Sequence, residues 1–152
     1  SVLPVARTCG VDDLVVELPH RLGYLESLGA MLDADALLLL GSSDRAYSPS
    51  KLYPYYLSNK PMLSVVFRDS YLASLVTELN CSTIVALDPD GPNDSAHAEI
   101  HRFFDLALAG FPPASLPQRN DALFQRSYLS ETLTQRQCEL FNEAVRSSDN
   151  PR

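Results

Sequence analysis

Four short apolar runs punctuate the chain, at residues 14–18, 36–40, 62–67 and 83–87. They are nearly continuous in apolar residues rather than alternating with polar ones, as strands covered on both faces are. The pattern predicts β-strands at 14–18, 36–41, 62–67 and 83–87. Between them the spacing turns helical. Leu72, Leu75, Val76 and Leu79 fall at i, i+3, i+4 and i+7, with Asp69 or Ser70 available as N-cap. Ile100, Phe103, Phe104, Ala107 and Leu108 repeat the pattern behind a cap at Asp94 or Ser95. Shorter helices are expected at 24–33 and 50–58, and residues 2–9 read as the end of a helix leading into the first strand. Strands alternating with helices predict an α/β fold, a doubly wound parallel sheet with helices on both faces. A strand before the 2–9 helix is missing from the pattern, so an exposed apolar groove or an oligomer contact is expected there.

The alternation ends at a loop, 110–120, that carries Pro112, Pro113 and Pro117. Thr132 and Gln135 then have the spacing of a capping box. They predict a last amphipathic helix with a buried face of Leu133, Leu140, Phe141, Ala144 and Val145, followed by a polar tail at 147–152. Residues 1–110 are read as the main α/β domain, incomplete at its amino end, and 111–152 as a loop and helical extension of it.

At 152 residues, with 45% hydrophobic and 20% charged residues, the chain has the size of one domain or of half a two-domain protein. It opens at Ser1 rather than Met, as a piece of something longer would. Twelve Lys and Arg against nineteen Asp and Glu give a formal charge of −7, which argues against general nucleic-acid binding. The longest apolar run, 36–40, is too short to span a bilayer, and no charged and apolar leader opens the sequence. A cytoplasmic domain without a transmembrane segment is the expectation. Cys9, Cys81 and Cys138 are odd in number and form no CxxC, so three reduced, mostly buried thiols are expected rather than disulfides or a zinc site.

Ligands of a parallel α/β sheet bind beyond the carboxyl ends of its strands. The loop after the second run, Gly41-Ser42-Ser43-Asp44-Arg45-Ala46-Tyr47-Ser48-Pro49-Ser50-Lys51, is the most informative there. Ser48 suits an N-cap, Pro49 the first helical position, and Ser50 and Lys51 the first turn. Free amides, a hydroxyl and an ammonium at a positive helix end are the parts of a phosphate or pyrophosphate site. An ordinarily capped helix with a solvated lysine is the plainer alternative.

Other groupings carry less. His97 and His101 stand four apart with Glu99 between them, and no third metal ligand is evident, so a solvated helix face explains them. Asp88, Asp90 and Asp94 fit a turn and a helix cap better than a metal site. Ser42 and Ser43 lack the glycines of a nucleophile elbow. Tyr53, Tyr55 and Tyr56 on one short helix are expected to split between core and rim. A receiver-like signalling domain fails for want of a phosphoacceptor aspartate with acidic partners at matching strand ends.

A resemblance sharpens the phosphate reading. The segments Gly10-Val11-Asp12-Asp13-Leu14-Val15-Val16, Arg21-Leu22-Gly23-Tyr24-Leu25-Glu26-Ser27-Leu28 and Leu32-Asp33-Ala34-Asp35-Ala36-Leu37-Leu38-Leu39 carry it. It continues through Ser48-Pro49-Ser50-Lys51-Leu52-Tyr53-Pro54-Tyr55-Tyr56-Leu57-Ser58-Asn59-Lys60-Pro61-Met62-Leu63. Together they resemble the C-terminal domain of group 1, family four-like glycosyltransferases of the GT-B fold. The likeness is close over about half the chain, and the helix–strand order extends it to near residue 110.

The resemblance implies a Rossmann-like fold and a nucleotide-diphosphate-sugar as donor substrate, with no separate cofactor and no metal. Transfer of the sugar, with retention, would go to an unknown acceptor held by an N-terminal domain that this chain lacks. It places Arg21, Leu22, Gly23 and Tyr24 at the donor base and Ser48, Ser50 and Lys51 at the diphosphate. Two glutamates found in many members fall here on Ala46 and Pro54, and Asp44 is a substitute candidate for the first. The last helix resembles the one that packs back toward the partner domain. The chain alone is expected not to transfer sugar, and peripheral membrane association of a full-length protein is compatible with this reading. The alternative is a non-catalytic Rossmann-like nucleotide-binding or protein-interaction domain, which loss of both glutamates favours and retention of Ser50 and Lys51 opposes.

Overall fold

The computed structural model describes residues 1–148 and divides them into two compact units, Ser1–Asp33 and the chain from Ala34 onward. The first unit opens with helix α1 (Leu3–Cys9), whose C-terminus is closed by Gly10 at φ 68°. That left-handed turn lets the Gly10 and Val11 amides reach the carbonyls of Arg7 and Ala6, and glycine takes such a φ without a Cβ penalty. A single 3-10 turn at Asp12–Leu14 follows. Helix α2 (Tyr24–Asp33) closes the unit, its Glu26 carboxylate accepting from the Gly23 amide at 2.7 Å.

The strand expected at 14–18 does not form. Residues 15–19 run without regular structure, with Leu14, Val16 and Leu18 exposed, Val16 by 85%. An apolar run becomes a strand only when a neighbour pairs its amides and carbonyls, and the described sheet offers this segment no ladder. Glu17 instead holds the amino terminus, accepting from the Ser1 hydroxyl at 2.7 Å.

The second unit is a Rossmann-like α/β body. Its three strands, β1 (Leu37–Leu40), β2 (Met62–Phe67) and β3 (Thr83–Leu87), are all parallel and lie in the order β1-β2-β3. Helices α3 (Leu52–Ser58), α4 (Tyr71–Leu79) and α5 (Asp94–Leu108) make or follow the crossovers. On one face Leu63 and Val85 pack with Ala96 and Phe103 of α5. The opposite face, with Ile84 and Ala86, meets α4, whose Leu72, Leu75, Val76 and Leu79 are buried. Ser70 caps α4, its hydroxyl accepting from the Ala73 amide at 3.1 Å.

Strand β1 is covered on one side alone. Leu37 and Leu39 are buried, while Leu38 is 52% exposed and Leu40 also faces out. The register sets Leu38 beside Leu63 and Leu40 beside Val65, on the face where Leu63 packs with α5. An apolar groove of about 310 Å³ results, reaching Ile100 and Phe104. The groove corrects the reading of this strand as covered on both faces, and it lies elsewhere than the groove expected beside the 2–9 helix.

Several local expectations also change. Helix α5 starts behind Asn93, so neither Asp94 nor Ser95 is its cap. The Asn93 side chain bonds back to the Asp88 amide and carbonyl, and so closes the turn after β3. Helix α6 (Asp121–Tyr128), inside a region with no expected element, is capped by Asn120, whose Oδ1 accepts from the Leu123 amide. Helix α7 (Ser130–Ser148) begins two residues before the supposed capping box. Thr132 donates to the Gln125 carbonyl and Gln135 to Glu139, so the box is not made. Leu133, Leu140, Phe141, Ala144 and Val145 are exposed rather than buried, since an apolar stripe on a helix does not by itself supply a surface to pack on. Of the expected polar tail, residues 149–152 lie outside the described residues. Cys81 is buried, but Cys9 on α1 and Cys138 on α7 are exposed.

Candidate functional site

The chain leaves β1 at Gly41, whose amide continues the ladder to the Val65 carbonyl at 2.8 Å. A Cβ here would lie 3.2 Å from the Val66 Cα and 3.3 Å from the Val65 oxygen, so the close approach to β2 suits glycine. Beyond it the loop folds on its own side chains. Ser42 Oγ accepts from the Asp44 amide at 3.2 Å, and Asp44 Oδ1 accepts from the Ala46 amide at 3.0 Å. The Arg45 carbonyl accepts from the Tyr71 amide and so pins the loop to the start of α4. Asp44 thus acts as a turn-forming residue, the use that short carboxylates have in loops.

A cleft of about 450 Å³ opens at this carboxyl end of β1, lined by Gly41, Ser42, Tyr47, Pro49, Lys51 and Tyr55 among others. Its polar groups are hydroxyls and one ammonium, set against the apolar wall of the strand. Lys51 is exposed and lies at the position preceding α3, in a turn closed by the Leu52 amide on the Pro49 carbonyl. The helix therefore begins at Leu52, later than the expected start at 50, and Ser48 makes no cap bond to it. Ser48 and Ser50 are exposed beside the cleft and outside its lining. Of the three diphosphate candidates, the cleft takes Lys51.

Tyr47 and Tyr55 reach this cleft without a sequence signal of that role. On the same short helix Tyr56 is buried and Tyr55 is half-buried at the cleft. The Tyr56 ring stacks on Phe124 of α6, centroids 4.0 Å apart and nearly coplanar, and its hydroxyl donates to Asp121 at 2.7 Å. The Arg119 guanidinium covers the other side of the ring at 3.9 Å and bonds Asp121 and Asn59. This cluster fixes α3, and with it the floor of the cleft. Burial, helped by the bond to Asp121, raises the Tyr56 phenol above its ordinary value, while that same bond holds the Asp121 carboxyl below its own.

Arg21, Leu22, Gly23 and Tyr24 lie in the first unit, apart in the chain's organisation from Lys51 in the second. Arg21 and Tyr24 are exposed, and the Gly23 amide is already committed to Glu26. Ala46 is exposed and Pro54 half-buried, and neither side chain accepts a hydrogen bond. A larger cleft of about 530 Å³, with Asp35, Lys60 and Phe111 in its wall, opens where β1 and β2 begin. That is the amino end of the strands, the wrong end for ligands in a parallel α/β sheet.

His97 and His101 are exposed on α5, and Glu99 is paired with Arg102 at 2.8 Å. Asp88 accepts from the Asp90 amide in a turn. Among the described residues no three His, Cys, Asp or Glu side chains are grouped to hold a metal ion. No described helix is long and apolar enough to cross a membrane. Comparison with protein-family models, with curated proteins and with solved structures finds no match to this chain.

Proposed function

We propose that the chain is the donor-binding half of a GT-B glycosyltransferase and holds the nucleoside diphosphate of a sugar donor in the cleft after β1. The observation that carries the reading is Lys51, an exposed ammonium lining a hydroxyl-rich cleft at the carboxyl end of a parallel strand. The resemblance through Ser48-Pro49-Ser50-Lys51 assigns the same residue to the diphosphate. A fixed positive charge at that point offsets the charge that develops on a departing diphosphate, which is electrostatic catalysis without a covalent step. Ser42, Tyr47 and Tyr55 would supply hydroxyl donors around it. Asp44 is not proposed as a catalytic group, since its Oδ1 already holds the loop. The acceptor half, retention of configuration and sugar transfer itself belong to this proposal as properties of the whole enzyme.

Calorimetry with uridine, guanosine and adenosine diphosphates tests it. A charge-assisted contact is worth about 1.5–3 kcal/mol, or about 10- to 150-fold in affinity. Lys51→Ala should weaken binding by that factor with the fold intact, and Lys51→Arg should restore it in part, because a planar fork does not replace a point charge. Equal affinity of wild type and Lys51→Ala would overturn the assignment. It would favour the second reading, a non-catalytic interaction domain, which the exposed apolar surface of Leu38, Leu40 and Phe104 supports.

A further inference from the structure

We draw no further inference here: the strongest candidate, the apolar groove on the α5 face of β1 formed by Leu38, Leu40, Val65, Ile100 and Phe104, is an unpartnered sheet face, and nothing in the structure shows what covers it.

Discussion

Cys81, two residues before β3, and the two helical cysteines share a side chain and differ in everything around it. Burial raises the Cys81 thiol to about 11, while Cys9 and Cys138 are exposed. The thiolate is the reactive form, so near neutral pH an alkylating reagent should modify Cys9 and Cys138 and reach Cys81 only after unfolding. Mass spectrometry of the labelled peptides checks this, and Cys81 labelled at the rate of the other two would contradict its placement. Because its folded value is raised, the Cys81 contribution to stability is whole below the free-thiol range and is lost as pH climbs toward about 11. Asp121 runs the other way. Its carboxyl is held low, first by the Tyr56 hydroxyl and then by Arg119. Stability from that group is present above the ordinary carboxylate range and lost as pH falls through the lowered value. Urea midpoints measured down an acid series should fall more steeply for wild type than for Tyr56→Phe. Identical slopes would remove the Tyr56–Asp121 bond from the account.

Strand β1 shows how one element divides its side chains. Leu39 is 2% exposed and Leu38 is 52% exposed, though the two are neighbours of the same type. Leu39→Ala should cost about 2–5 kcal/mol, the usual range for emptying a packed leucine site. Leu38→Ala should cost far less, since much of its surface is already in water. Denaturant unfolding of both variants decides it, and similar losses would mean that the outer face of β1 is covered in solution. The same contrast shows what was legible beforehand. Strands at 62–67 and 83–87 were readable because each apolar run has a parallel neighbour to complete it. Residues 14–18 carry the same pattern and form no strand, because periodicity reports a demand for burial and says nothing of whether a pairing edge is present. Likewise α7 has the apolar stripe of a buried helix and leaves it exposed. Helix α6 carries little sequence signal beyond one cap, Asn120, behind a proline-rich loop, and Phe124 is its only buried residue. Lys51 was legible from the Ser-Pro-Ser-Lys run after a strand ending in glycine. Tyr47 and Tyr55 were not, because a loop fold sets the one and the burial of Tyr56 against Phe124, more than sixty residues away in the chain, sets the helix that carries the other.

At the scale of the whole molecule, a Rossmann-like body carries exposed apolar surface on β1, α5 and α7, and a second small unit has apolar residues in water along 14–18. The cleft after β1 is the feature on which the proposed donor binding depends. The most direct test is nuclear magnetic resonance of the labelled chain titrated with uridine diphosphate. The account predicts that the largest amide shifts fall on Gly41, Ser42, Tyr47 and Lys51, and that Lys51→Ala suppresses them at the same ligand concentration. Shifts centred instead on the Asp35 and Lys60 cleft at the opposite end of the sheet, or a pattern unchanged by Lys51→Ala, would contradict it.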